Sequence, residues 1–205
     1  MAVKIGILNI GIGNLRSVWN GVHAVGFDPV FVSRPDQIKS ISHLIFPGVS
    51  AYGEVSQQLD LKEIKFALRT FAADGNFLLG LCAGMQILSD EGYENGVHSG
   101  LGLIPGRVEA LSSDSSGNRI QHVGWNDVTF LSRNPILNKI NSEVDFYFCH
   151  SYHFVCINKV HMLGETNYSR PFTSMVANEN VIGVQFHPEK SQRNGLQMIE
   201  NFCRL

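Results

Sequence analysis

The sequence has little charge and no long hydrophobic run. Only 17% of its 205 residues are charged and the formal net charge is -2, so no basic field is present to attract nucleic acid or a membrane surface. No apolar run reaches the length of a transmembrane helix, and the apolar start at residues 3–9 is too short for a signal peptide. We therefore expect a cytoplasmic protein whose partners include small polar molecules.

Cysteine is scarce, and the four cysteines form no C-x-x-C pair. This spacing argues against a zinc knuckle or a redox pair, so we predict no bound metal and no cofactor. Free thiols fit a reducing compartment. We single out Cys82 for its surroundings and expect Cys149, Cys156 and Cys203 to be core residues, because free cysteine behaves as a small hydrophobe.

Strand and helix patterns alternate along the first half of the chain, which predicts an α/β fold with a parallel sheet. The second half is richer in strands, so we expect some antiparallel pairing there. A chain of 205 residues can bury about 70% of its unfolded surface in a single domain. The predicted strands are 3–9, 29–32, 43–46, 77–81, 104–111, 145–149 and 181–186; the predicted helices are 15–25, 61–74 and 195–204; residues 112–118 are a predicted hairpin loop.

The segment LGLCAGMQ (residues 79–86) lies where an apolar run gives way to a helix-like pattern. A nucleophile between a strand and a helix occupies a strained turn, and glycine two residues before and after it relieves the crowding. A thiol at a helix N-terminus is also favoured as the thiolate. The segment predicts a nucleophile elbow at Cys82, with an inert buried cysteine as the alternative.

A base for this nucleophile is available in the segment VIGVQFHPEK (residues 181–190). On an extended backbone His187 and Glu189 point to one side, so the carboxylate can fix the imidazole tautomer while the other ring nitrogen faces a thiol. The pattern predicts a Cys-His-Glu triad of Cys82, His187 and Glu189. A single histidine at a strand end can equally be a surface residue.

Several further motifs accompany the elbow and the His-Pro-Glu segment. They are GIGNLRSV (11–18), PGV (47–49), GWN (124–126), YFCHSY (147–152) and QFHPEKSQ (185–192). From about residue 5 to residue 205 the chain resembles the class I (triad) glutamine amidotransferases, and within them the glutaminase subunits of imidazole glycerol phosphate synthase. The resemblance implies one glutamine amidotransferase domain over residues 1–205, with a mostly parallel central sheet flanked by helices.

Hydrolysis of glutamine through a thioester needs donors for the oxyanion of the tetrahedral intermediate. The backbone N–H of Ala83, directly after the nucleophile, is well placed to be one of them. The resemblance implies that Gly48 or Val49 supplies the other after a peptide in that loop reorients. An ordinary turn is the alternative, and Ser50 stands where the family usually has a second glycine.

The resemblance also implies the residues that recognise glutamine. They are Gln86, Glu94, His150, Ser151 and Tyr152. A carboxylate at some distance from Cys82 suits the ammonium group of a substrate whose side-chain amide lies about 3 Å from the thiol. Glu94 can instead be a solvated loop residue, and Tyr152 a core aromatic.

Free ammonia would be protonated and lost, so a glutaminase of this size implies a synthase partner. In the resembled family the partner is a (β/α)8 cyclase of histidine biosynthesis, forming a heterodimer. The turn GIGNLR (11–16) lacks the third glycine of a dinucleotide fingerprint, so it is only a weak signal for a dinucleotide site. In the resembled family this turn lies near the synthase partner. The implied interface residues are Asn14, Arg16, Trp125, Tyr147 and Lys190.

Two alternatives to this function stay open on the sequence alone. A paralogous glutaminase could supply ammonia to a sugar amidotransferase for surface polysaccharide, and Gln121, where the family often has proline, leaves room for a different partner. The other alternative is a catalytically silent binding or regulatory module, because a fold does not determine a function. The presence of all three triad residues argues against the silent module.

Overall fold

The computed structural model describes residues 3–111 and 121–205, so the predicted hairpin loop at 112–118 lies outside the described residues. In the described part the strands, in chain order, are β1 (Ile5–Leu8), β2 (Val30–Val32), β3 (His43–Gly48), β4 (Phe77–Cys82), β5 (Glu91–Gly92), β6 (His98–Ser99), β7 (Gly106–Ala110), β8 (His122–Phe130), β9 (Val144–His150), β10 (Tyr152–Cys156), β11 (Met162–Tyr168), β12 (Arg170–Asn178) and β13 (Val181–Val184). The helices are α1 (Leu15–Ala24), α2 (Pro35–Ile38), α3 (Tyr52–Leu61), α4 (Ile64–Ala73), α5 (Ala83–Gln86) and α6 (Gln192–Cys203), with 3-10 turns at Pro135–Leu137, Lys159–His161 and Pro188–Lys190.

One half of the sheet is parallel, in the order β2-β1-β3-β4-β13. The central strands of this half are apolar runs with every residue buried in β1, β3 and β13. Continuous apolar strands of this kind are typical of parallel sheets covered by helices on both faces. The predicted parallel sheet is therefore confirmed.

The other half of the sheet is mainly antiparallel, as the strand-rich second half of the sequence predicts, although β5 pairs parallel with β7. β12 pairs antiparallel with β13, β10 and β11, and β8 pairs antiparallel with β11 and β9. The β8–β9 pair places Trp125 directly opposite Tyr147. Exposed and buried positions alternate along much of β8, so one face of this pair is solvated.

Two helix predictions need correction. The predicted helix at 61–74 is α4 alone, and a separate helix, α3, precedes it. The break lies at Glu63, whose left-handed backbone (φ 55°) cannot continue a right-handed helix. The last helix begins at Gln192, three residues before the predicted start at 195.

Hydrophobic residues cover both faces of the sheet. Successive residues of β3 and β4 alternate between two clusters: Leu44 and Leu78 belong to one, which includes α3 and α4, and Ile45 and Leu79 to the other, which includes α1 and α6. This arrangement leaves the carboxyl ends of β3, β4 and β13 at one edge, where open α/β sheets bind their ligands. Within the described ranges, no helix is long and apolar enough to cross a membrane.

Candidate active site

Cys82 ends β4 in a backbone conformation that L residues rarely adopt, with φ 54° and ψ -112°. Such a conformation costs on the order of 1–3 kcal/mol and persists only where the surroundings enforce it. The residue is only 6% exposed and lines a cleft. The structure therefore has the strained strand-to-helix turn that the sequence predicts.

The glycines on either side of Cys82 are required by packing. A Cβ on Gly80 would collide with the carbonyl oxygen of Gly84, and a Cβ on Gly84 would collide with that of Phe46 in β3. The helix that follows Cys82 has only four residues, so the helix dipole contributes less than we expect from the sequence. The activation of the thiol must come mainly from side chains.

His187 and Glu189 follow the end of β13, and the His187 side chain contacts Cys82. The His187 Nδ1–H donates to Glu189 Oε1 at 2.9 Å, and both side chains are almost fully buried. The extended backbone that we predict holds for His187 itself but not beyond it, because Pro188–Lys190 forms a 3-10 turn. Proline is suited to the first position of such a turn, since its φ is fixed near about -65°.

The environment of His187 favours its cationic form. Burial alone lowers the pKa of His187, but its hydrogen bonds to Cys82 and Glu189 and the charges of these two partners outweigh burial and raise the pKa to about 10. An imidazolium held at neutral pH is suited to stabilise a thiolate on Cys82. It is also ready to give its proton to a leaving group.

The cleft above Cys82 has a volume of about 480 Å³, within the usual range for a small-molecule site. It brings together most of the side chains that the sequence singles out. Those lining it are Asn14, Val49, Cys82, Ala83, Gln86, Glu94, His150, Ser151, Tyr152, His187 and Lys190, together with Ser50. Gly48 lies beside it, paired with Cys82 across β3 and β4.

Glu94 is fixed at one side of this cleft. Its Oε2 accepts a hydrogen bond from the backbone N–H of Tyr52 at 2.8 Å, at the start of α3, where the exposed N–H groups and the helix dipole stabilise a negative charge. The carboxylate is thus an anchored anion facing the cleft. This position suits the ammonium group of an amino acid.

A buried pair of glutamines connects the cleft to Cys82. Gln86 Nε2 donates to the carbonyl oxygen of Tyr152 at 2.9 Å and to Gln185 Oε1 at 3.0 Å. Gln185 Nε2 in turn approaches Cys82 Sγ at 3.6 Å. No role for Gln185 is predicted from the sequence, although a glutamine in an apolar run, two residues before His187, is a usable signal.

His150 belongs to a second chain of hydrogen bonds, which also ends at Tyr152. Its Nδ1–H donates to the Tyr152 carbonyl oxygen at 2.8 Å, so its Nε2 must accept from His122 Nδ1 at 3.0 Å, and His122 Nε2 accepts from Asn126 Nδ2 at 3.2 Å. Burial lowers the pKa of His122 to about 4 and that of His150 to about 3. Both imidazoles are therefore neutral, each in one tautomer.

The predicted interface residues fall into two groups. Trp125 and Tyr147 contact each other edge to face at 6.0 Å, and Lys190 Nζ lies 5.6 Å from the Tyr147 ring centroid; we call these three residues the β8–β9 surface. Trp125 is 47% exposed, so it is not a core tryptophan. Asn14 and Arg16 lie at the start of α1, with the Arg16 guanidinium 4.7 Å from the Trp19 ring.

One expectation about cysteine is wrong. Cys149 is exposed and Cys156 is half-buried, and only Cys203 is a core residue. Cys149 lies in β9, whose burial alternates from residue to residue, so its side chain takes the outward position. Its carbonyl oxygen lies 3.8 Å from Cys82 Sγ.

Comparison with known proteins assigns the family. The model of the class-I glutamine amidotransferase family matches residues 7–205, and the chain belongs to this family. Among its relatives is the imidazole glycerol phosphate synthase subunit HisH of Sulfurimonas denitrificans, which is 39% identical over 202 residues, covering 98% of this chain and 97% of that protein. The subunit of the same name from Aquifex aeolicus is 38% identical over 97% of this chain and 95% of that protein.

Solved structures agree on the fold. The structure of PurLQS from Thermotoga maritima matches with a TM-score of 0.78 at 21% identity, covering all of this chain and 99% of that one. The crystal structure of a glutamine amidotransferase from Thermotoga maritima matches with a TM-score of 0.65 at 14% identity, covering 95% of this chain and 79% of that one. At these identities the likeness concerns the fold.

Proposed function

We propose that this chain is the glutaminase subunit of an imidazole glycerol phosphate synthase, acting in the cytoplasm as a heterodimer with a (β/α)8 cyclase. The observation that carries the proposal is the identity of 37–39% to subunits of that name over nearly the whole length of both chains. Ammonia released here would pass to the cyclase for histidine biosynthesis. The β8–β9 surface, with Asn14 and Arg16, would contact the cyclase.

The proposed reaction begins with attack of the Cys82 thiolate on the side-chain amide carbon of glutamine. The carbonyl oxygen becomes an oxyanion, which the N–H of Ala83 and a peptide N–H at Gly48 or Val49 would stabilise. The imidazolium of His187 then protonates the departing ammonia as the thioester forms. Glu189 holds the imidazole in the required tautomer.

Water completes the cycle. His187, neutral after giving up its proton, removes a proton from the water that attacks the thioester, and glutamate leaves as the Cys82 thiolate is restored. Glu94 would hold the substrate ammonium group throughout. Its anchoring at the start of α3 keeps this anion in place without an energetic cost of rearrangement on binding.

The test is release of glutamate from glutamine by the purified chain, alone and with the candidate cyclase carrying its nucleotide substrate. We expect strong stimulation in the complex. Activity that responds to a sugar amidotransferase and not to the cyclase would support the paralogous alternative. No glutamate release under either condition would support a silent module and overturn the proposal.

A further inference from the structure

Gln185 directly follows β13 and is fully buried in a run of the chain that is otherwise apolar. Burying an amide costs free energy unless its polar atoms find partners. Its backbone N–H pairs with the Ser174 carbonyl oxygen of β12 at 2.9 Å, which fixes the end of β13. The side chain then faces Cys82 on one side and Gln86 on the other.

The network fixes which way the Gln185 amide points. The Tyr152 carbonyl oxygen can only accept, so the atom of Gln86 that faces it must be the amide nitrogen. The same nitrogen lies 3.0 Å from Gln185, which must therefore present its oxygen there. The remaining group of Gln185, its NH₂, faces Cys82 Sγ and can only donate.

Two polar neighbours of Cys82 Sγ, the Cys149 carbonyl oxygen and the Gln185 NH₂, favour opposite protonation states of the sulfur. A protonated thiol can donate to the Cys149 carbonyl oxygen at 3.8 Å. A thiolate cannot, but it can accept from the NH₂ of Gln185 at 3.6 Å, and a hydrogen bond to a charged acceptor is stronger than one to a neutral acceptor. Gln185 thus favours the thiolate and restrains the position of the sulfur.

We propose that Gln185 is a further catalytic residue, whose side-chain amide donates a hydrogen bond to the Cys82 thiolate and is itself held in orientation by Gln86. The inference rests on the proposed glutaminase function, in which Cys82 is the nucleophile. Gln86 both lines the cleft and contacts Gln185. Gln86, which would contact the substrate, therefore also orients the Gln185 amide that donates to Cys82. Orientation of the sulfur and binding of glutamine are linked through one contact.

The test compares Gln185→Met and Gln185→Glu with the wild-type chain. The methionine has a similar length and no donor, and the carboxylate has the same shape but repels a thiolate. Alkylation of Cys82 by iodoacetamide is followed across the acidic and alkaline range by mass spectrometry of the peptide that contains Cys82. Gln57→Glu, an exposed position on α3, is the matched charge control.

We expect the pH midpoint of alkylation to rise by about one unit in Gln185→Met, which is about a tenfold loss of thiolate below the midpoint. Gln185→Glu should shift it further, and Gln57→Glu should match the wild type. For glutamine hydrolysis, kcat should fall about tenfold or more, and any rise in KM through the lost contact with Gln86 should be smaller than this loss, because the amide of Gln185 donates to Cys82.

An unchanged midpoint in a folded Gln185→Met chain would overturn the proposal, as would a rise in KM with kcat intact. If the buried carboxylate prevents Gln185→Glu from folding, the uncharged methionine variant decides. Alkylation requires no glutamine, so the two proposals fail separately. If the variants show these shifts in the alkylation midpoint but the wild-type chain releases no glutamate, alone or with the cyclase, the glutaminase function alone is contradicted.

Discussion

At the scale of single residues, reactivity is concentrated where the backbone is strained. Cys82 has a positive φ, and the strand pairing of Gly48 with Cys82 holds the turn in place. The conformation projects the thiol into the cleft, between the imidazole of His187 and the amide of Gln185. Strain at one residue is thus compensated by the packing of the two strands that flank it.

Replacing Cys82 by alanine should remove glutamine-dependent activity and leave ammonia-dependent synthesis by the cyclase intact, because only the source of ammonia is lost. Loss of a nucleophile typically lowers kcat by about four to six orders of magnitude. The measurement is product formation by the reconstituted complex with glutamine and then with an ammonium salt. Loss of both activities would contradict the division of labour between the subunits.

At the scale of elements, local patterns account for much of the site. The glycines around Cys82 and the apolar runs of β3, β4 and β13 are readable in sequence, because each depends on a few neighbouring residues. The contacts of Gln86 with Tyr152 and Gln185 join residues 66 and 99 positions apart. The sequence could not predict these contacts, since they depend on which strands pair.

The elbow predicts a specific sensitivity at Gly84. Alanine there would push a Cβ into the carbonyl oxygen of Phe46, so β3 and α5 must separate, and we expect a loss of about 2–3 kcal/mol in the free energy of unfolding. Gly75→Ala is the control, because that glycine has a positive φ of 80° but no atom within 4 Å of the added carbon. The control should lose about 1 kcal/mol.

Urea unfolding of the two variants measures this difference in stability. At an unchanged m-value, the shift of the unfolding midpoint gives the change in the free energy of unfolding. The Gly84→Ala chain should also lose glutaminase activity out of proportion to its stability, because the nucleophile moves with α5. Equal destabilisation of the two variants would show that the close approach of α5 to β3 does not constrain the elbow.

The paired histidines of β8 and β9 predict a dependence of stability on acid. The pKa of His122 is lowered to about 4, whereas in the unfolded chain it is about 6.5. Between these values only the unfolded chain binds the proton, so stability falls as the pH drops from about 6.5 toward about 4. One such group contributes a slope of up to about 1.4 kcal/mol per pH unit.

His122→Phe removes this titration while a ring remains to stack on Phe148 and Tyr168, which lie 4.5 and 4.1 Å from the histidine ring. Unfolding free energies at pH 7, 6 and 5 should therefore fall less steeply in the variant, although its stability at pH 7 is lower because a hydrogen bond to His150 is lost. Identical slopes in both chains would mean that His122 binds protons equally in the folded and unfolded states, which would contradict a lowered pKa in the folded chain.

At the scale of the whole molecule, the antiparallel half of the sheet carries the β8–β9 surface and the parallel half carries Cys82. The two halves join where β12 pairs with β13, and Tyr147 provides a further connection between them. Its carbonyl oxygen accepts from the His187 backbone N–H at 2.9 Å, and its own N–H donates to Ser191 Oγ at 2.9 Å. A partner bound on this surface would therefore lie one hydrogen bond from the backbone of His187.

This arrangement predicts that Trp125 anchors the cyclase. The ring is 47% exposed and rests edge to face on Tyr147, so it can enter a pocket of the partner without rearrangement of its own chain. Truncation of an aromatic anchor typically costs about 2 kcal/mol or more, and Trp125→Ala should raise the Kd of the complex by about 30-fold. Phe66→Ala is the control, because Phe66 is 80% exposed on α4, away from the β8–β9 surface. Titration of the cyclase into each variant by calorimetry gives the two values, and equal affinities would place the interface on a different surface of the chain.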